Sequence, residues 1–169
     1  MRNIIKFIIL IVFISSCTTP QQDNTAFDLG LSKFEKNKAI ADKTFDLFID
    51  KDLDGMMNMY SDDVIWSPAN TLDSLSKADL RGGMAGWMEN FESFTFNDRQ
   101  YYPGVDDNFI PDGSVRTYGT WIGKHVSGAE TITKYYSVTQ YNEEGKIEAA
   151  LEWFDVGGVF DQVESQMNQ

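Results

Sequence analysis

The sequence predicts an α+β domain, with helices first and an antiparallel sheet second. Three observations carry this. From Ser32 to Asp50 apolar side chains recur mostly at helical spacing, with charges filling the other face, and Met84, Trp87, Met88 and Phe91 repeat that spacing. After Phe96 come segments rich in β-branched and aromatic residues, separated by turn signals at Pro111-Asp112-Gly113, Ser127-Gly128 and Asn142-Glu143-Glu144-Gly145. The chain has 169 residues, 42% of them hydrophobic, with 12 Phe, 7 Tyr and 4 Trp, which suffices for one core and leaves no room for two ordinary domains. Helices followed by strands place the helices against one face of the sheet.

In chain order, the first segment reads as a leader rather than as structure. Arg2 and Lys6 precede an unbroken apolar run from Phe7 to Ile14, followed by Ser15, Ser16 and Cys17. This is the order of a bacterial export signal, too short to span a bilayer of ~30 Å. Residues 1–16 are therefore assigned as a signal peptide and 17–31, polar at the start, as a flexible tether. Residues 32–169 form the domain.

Within it, Phe34, Ile40, Ala41, Phe45, Leu47, Phe48 and Ile49 mark a first helix from Ser32 to Asp50. Asp52-Leu53-Asp54-Gly55 interrupts it before a short helix from Leu53 to Tyr60. Val64-Ile65-Trp66 reads as a strand. Ser76 and Asp79 have the spacing of a capping box and open a third helix, whose apolar face carries Met84, Trp87, Met88 and Phe91. Gly82, Gly83 and Gly86 weaken that helix, and glycines there often permit close packing. Strands are expected at 99–105, 115–125, 131–141 and 146–156, the last three forming a meander.

Composition excludes several functions. A single cysteine rules out an intrachain disulfide and a cysteine-rich zinc site, and a single histidine rules out a multi-histidine metal site. Acidic residues outnumber basic ones 26 to 14, a net charge of -12, which disfavours attraction to nucleic acid or anionic lipid. The acidic stretch Asp106-Asp107-Asn108 with Asp112 lacks the calcium-loop pattern and reads as a solvated loop. Neither a cofactor nor a metal is expected.

Ile14-Ser15-Ser16-Cys17 resembles the lipobox of bacterial lipoproteins. That resemblance implies cleavage before Cys17, acylation of the cysteine (palmitate among the chains) and attachment to a membrane of the cell envelope. Loss of Arg2 and Lys6 with the leader takes the net charge to -14. A second resemblance lies in the body of the chain. Asp52-Leu53-Asp54-Gly55, Tyr60-Ser61-Asp62-Asp63-Val64, Gly119-Thr120-Trp121, Tyr141-Asn142-Glu143-Glu144-Gly145-Lys146-Ile147 and Trp153-Phe154-Asp155 are similar, in order and spacing, to the SnoaL-like branch of the nuclear transport factor 2 superfamily. The match covers about residues 35–165. It implies a cone-shaped half-barrel, a strongly curved antiparallel sheet wrapped around three N-terminal helices, with a pocket between them. It also implies a homodimer packed through the outer sheet face.

The catalytic sets of that superfamily are not retained. The positions of the ketosteroid-isomerase residues fall near Thr44, Ser67 and Ser137. In the epoxide-hydrolase pattern Tyr118 and Thr120 replace an arginine and an aspartate, and only Glu152 remains as a carboxylate. Strand parity puts Ala150, Glu152 and Phe154 on one face and Leu151, Trp153 and Asp155 on the other, and the resemblance turns the Glu152 face inward. The expected pocket residues are Trp66, Trp87, Phe91, Tyr118, Thr120, Ser137 and Phe154, with Glu152 as the candidate acid or base. The pKa of Glu152 is expected to rise among apolar neighbours. Leu151 and Trp153 mark the expected dimer face. His125, beside the Ser127-Gly128 turn, reads as an exposed hairpin residue. The leading functional reading is a lipid-anchored envelope protein that binds a small, largely apolar or aromatic molecule. The alternative is a hydro-lyase, isomerase or cyclase using Glu152.

Overall fold

Helix α1, Thr25–Ile49, opens the computed structural model, which describes residues 25–168. The expected signal peptide, Cys17 and the start of the expected tether lie outside the described residues. The helix begins at Thr25, so the stretch expected to be tether as far as residue 31 is partly helical. Its added turns bury little: Phe27 and Leu29 are exposed, so no apolar stripe marks them in the sequence. They are anchored through Gly30, where a Cβ would stand 1.8 Å from the Pro111 carbonyl oxygen. Further along, Phe34, Ala41, Leu47 and Phe48 turn one face of α1 into the core.

Helix α2, Leu53–Met57, is a single turn started by Asp52, whose carboxylate accepts the Gly55 N–H at 2.8 Å. Strand β1, Tyr60–Ser67, leads to helix α3, Lys77–Asn90. The expected capping box is formed: Ser76 Oγ accepts the Asp79 N–H at 3.3 Å, and Asp79 Oδ2 accepts the Ser76 N–H at 3.0 Å. Gly83 lets α3 settle onto Trp66, whose ring would be 2.8 Å from an added Cβ, whereas Gly82 and Gly86 face no neighbour. Phe91, expected on the helix, lies just past its end. Its N–H closes α3 on the Trp87 carbonyl, and its extended backbone starts β2.

Strands β2 (Phe91–Val105), β3 (Pro111–His125), β4 (Glu130–Tyr141) and β5 (Ile147–Trp153) complete one sheet in the order β1-β5-β4-β3-β2. All neighbours are antiparallel except β1 and β5, which run parallel. Strand β2 starts at Phe91 rather than at 99. Its register shifts between Asn97 and Gln100, where Asp98 takes φ 54°. Such a bulge bends the strand and increases its twist, which curls the sheet around α1. Arg99 then clamps helix to sheet, donating to Asp42 at 2.7 Å and Asp46 at 2.8 Å.

The chain ends in helix α4, Val156–Met167, where a continued strand was expected as far as 156. Asp155 caps it by accepting the Gly158 N–H at 2.8 Å. The first half of β4 extends past the end of β5, leaving one edge without a strand partner. Two glutamines of α4 fill that edge. Ile132 donates its N–H to Gln162 Oε1 at 2.9 Å and accepts from Gln162 Nε2 at 3.1 Å. Glu130 makes the same pair with Gln166, at 3.0 and 2.7 Å. The spacing fits, since four helical residues rise about 6.0 Å and two strand residues about 6.6 Å.

Candidate functional site

The concave sheet face, α1, α3 and α4 enclose a cavity of about 100 Å³. This is less than the roughly 150 Å³ of an apolar cavity that takes benzene, so the space suits a small molecule. Its walls are aromatic. Phe45 and Phe48 come from α1, Trp87 from α3, Phe91 and Phe94 from β2, and Trp121 from β3. The rings support one another: Phe96 stacks on Trp121 at 4.3 Å between centroids, nearly parallel at 7°. Gly119 makes room for Phe96, since a Cβ there would fall 2.2 Å from its ring. At the α4 end, Val159 lines the space and Phe160 stacks on Trp87 at 5.6 Å.

One carboxyl group faces this cavity. Glu152 lies on β5 opposite Ser137 of β4, and both side chains line the space. Burial pushes the Glu152 carboxyl up to about 7, and the Tyr135 hydroxyl and Trp66 indole N–H, as hydrogen-bonding neighbours, pull it partly back. Tyr60 and Tyr135 are themselves raised well above the usual phenol range, first by burial and then by the nearby carboxylate. Both phenols therefore stay neutral while Glu152 titrates. No lysine, arginine or histidine lines the cavity among the described residues.

The hydrogen-bonding capacity of the lining is mostly used internally. Thr44 donates to the Ile40 carbonyl at 2.8 Å, and Thr139 Oγ1 lies 2.9 Å from the Tyr141 hydroxyl. Two buried groups by the carboxyl differ. Ser137 Oγ and Trp66 Nε1 have no partner at hydrogen-bond geometry. Trp66 Nε1 is an electrostatic neighbour of Glu152 and Ser137 Oγ of the Tyr135 hydroxyl, without closing a bond to either.

The expected pocket residues divide into three groups. Trp87, Phe91, Ser137, Glu152 and Phe154 line the cavity. Trp66 does not: it sits in the core beneath Gly83 of α3, and only its indole N–H is directed at the site. Tyr118 and Thr120 were expected in the pocket and are on the opposite side of the sheet. On β3 the cavity-facing residues are Trp121 and Gly123, so residues of even number point outward. Tyr118 is 42% exposed and packs on Tyr136 at 4.7 Å. His125 stands at the end of β3 with Nδ1 2.9 Å from Ser127 Oγ, away from the cavity lining. Sequence reasoning missed Tyr135, the buried phenol beside Glu152. Its signal was available, two residues before Ser137 on the same strand face. It also missed Val159 and Phe160, because α4 was not foreseen.

No family model matches the sequence, and no curated protein matches it. Solved structures do resemble it. The BvnE pinacolase from Penicillium brevicompactum is 19% identical, with a TM-score of 0.63 over 79% of this chain and 96% of its own. A provisionally assigned SnoaL-like polyketide cyclase from Shewanella denitrificans OS-217 is 10% identical, with a TM-score of 0.62 over 76% of this chain and 97% of its own. AusH from Aspergillus nidulans is 17% identical, with a TM-score of 0.62 over 72% of this chain and 85% of its own. At these identities the likeness shows the fold alone: a curved, unclosed sheet with N-terminal helices, as in these SnoaL-like structures.

Proposed function

We propose that the domain takes a small, largely apolar molecule into the cavity and that Glu152 exchanges a proton with it, as an isomerase or cyclase would require. The observation that carries this is a single carboxyl, raised to about 7, facing an aromatic cavity. An acid or base works best when its pKa lies near the working pH, because both protonation states are then populated. As carboxylate, Glu152 would take a proton from a carbon activated by a neighbouring carbonyl, leaving an enol or enolate. As acid, it would return the proton at the same or another carbon. The structural neighbours include proteins described as cyclases and a pinacolase, which supports a reaction over storage of a ligand.

Exchange of α-protons for deuterium in small cyclic ketones, followed by NMR in D₂O, tests this reading. Catalysed exchange that rises as pH passes about 7 and disappears in Glu152→Gln is expected. Binding without catalysed exchange would leave a ligand-binding module, the reading the sequence suggested first. The proposal also covers location: export and attachment to an envelope membrane through an acylated Cys17. Labelled fatty acid should enter the parent protein in a bacterial host and not Cys17→Ala. Equal membrane attachment of the two would remove that part.

A further inference from the structure

We propose that the domain docks on a zwitterionic lipid surface through one apolar tip, formed by Phe27 and Leu29 of α1 and Phe109 of the β2–β3 turn. This rests on the proposed acylation of Cys17 and goes beyond it. The acyl chains attach the protein, and the tip sets which end of the domain meets the bilayer.

Two elements assemble the tip. The first turns of α1 lie against the β2–β3 hairpin, where Gly30 packs on the Pro111 carbonyl. Residues 27, 30 and 34 fall at i, i+3 and i+7, so Phe27 extends the stripe of Gly30 and Phe34 by one turn toward the helix start. Gly30 is the first buried residue of that stripe, and Phe27 and Leu29 stand in water beyond it. From the neighbouring turn Phe109 projects, 81% exposed.

The fold gains nothing from Phe109. Its φ of 62° is a left-handed conformation that suits glycine or asparagine and strains a bulky residue. The turn is nonetheless braced around it. Asp106 Oδ1 accepts the Asn108 N–H at 2.8 Å and the Ile110 N–H at 3.0 Å, and the Asp106 carbonyl accepts the Phe109 N–H at 3.0 Å. A strained aromatic ring held out in water, close to two more exposed apolar side chains, points to a partner outside the fold.

The partner follows from where the chain leaves. Thr25 comes eight residues after Cys17, and an extended chain covers at most ~3.5 Å per residue. A bilayer holding acyl chains on Cys17 therefore lies within about 28 Å of the helix start, at the same end as the tip. Charge selects the lipid. Asp28, Asp106, Asp107 and Asp112 surround the tip, with Lys33 beside Gly113, a net negative rim. That rim is repelled by anionic headgroups and not by zwitterionic ones. Apolar rings at such an interface bury themselves at the boundary of headgroups and acyl chains.

The full chain, acylated in a bacterial host and reconstituted into vesicles, tests this. An environment-sensitive fluorophore is placed on Asn108→Cys, or on Ser127→Cys at the opposite end of β3, and nitroxide-bearing lipid is the quencher. In phosphatidylcholine vesicles quenching at 108 should exceed that at 127 about threefold or more, and added phosphatidylglycerol should reduce it. Phe27→Ser with Phe109→Ser should lower quenching at 108 to the level at 127, with labelled fatty acid on Cys17 unchanged. Acylation with equal quenching at the two positions would overturn the tip and leave the anchor standing. Shielding of the 108 label without vesicles would give the tip to a second copy of the chain and overturn the lipid assignment. No labelled fatty acid on Cys17 would defeat the anchor reading, and this inference with it.

Discussion

The two faces of the sheet carry similar residues and put them to different use. On the concave face Phe91, Phe94, Phe96 and Tyr135 are buried around a cavity with one carboxyl group. On the convex face Tyr102, Tyr118, Tyr136 and Trp153 form a strip across four strands, with successive ring centroids 5.8, 4.7 and 5.2 Å apart. Trp153 is 49% exposed, next in sequence to Glu152. Adjacent residues on one strand thus end in opposite environments, one facing an apolar cavity and one facing water. Aromatic content alone does not identify a pocket. Curvature does, because only the concave side can be closed over by helices.

Substitutions on the two faces should break this comparison in graded ways. The largest effect belongs to Phe91→Ala. It removes a ring that is 1% exposed and packs on Phe94 and Trp87, and it should cost about 3–5 kcal/mol in urea unfolding.

Next comes Glu152→Gln, with the opposite sign. The Glu152 pKa is raised from 4.5 unfolded to about 7 folded, so the folded state holds the proton more tightly. The stability linked to that proton is fully present below about pH 4.5 and is lost as pH rises through about 7. At pH 8 the parent carries a buried charge that the Gln variant lacks. The variant should gain roughly 2–3 kcal/mol over the parent at pH 8 and almost nothing at pH 4.5. A constant difference at both pH values would mean that the carboxyl does not titrate as described.

A smaller loss is expected from Gln162→Ala with Gln166→Ala. Four hydrogen bonds to the β4 edge disappear, but that edge can take water in exchange, so the cost should be about 1–3 kcal/mol. Amide exchange at Glu130 and Ile132 should quicken more than elsewhere in β4.

The smallest effect on the monomer belongs to Trp153→Glu, within about 1 kcal/mol, since that ring is already half in water. The same substitution tests the proposed homodimer. If the strip around Leu151 and Trp153 is the interface, light scattering should show a dimer for the parent and a monomer for the variant. A dimer that survives the change would place the interface elsewhere.

Much of this was legible in the sequence, and the gaps have physical causes. The capping box at Ser76 and Asp79 was readable because a helix start is a local event, fixed by residues three apart. The turns at Gly113, Gly128 and Gly145 were readable for a similar reason: all three adopt positive φ, which glycine tolerates. Helix α4 was missed because Gly157 and Gly158 suppress helix propensity, and its support comes from distant partners, the backbone of Glu130 and Ile132. Tyr118 and Thr120 were misplaced by carrying a family position onto β3. In a strand an offset of one residue moves a side chain to the other face, and no local pattern on β3 reveals it, because aromatic residues line both faces.

By itself, then, the sequence determined the α+β class, the order of the elements from the first helix to β5, and the candidacy of Glu152. Periodicity, caps and turn residues act over a few positions, and the alternation on β5 is built into any strand. Tertiary structure alone decided which ring faces the cavity, that Tyr135 and Trp66 neighbour Glu152, and that Trp66 Nε1 and Ser137 Oγ are buried without a partner at hydrogen-bond geometry. Those facts depend on the pairing of β1 with β5 and β5 with β4, contacts between residues as far apart as Tyr60 and Ile147. Neither the desolvation that raises a carboxyl pKa nor the closure of a cavity exists until those strands are in register.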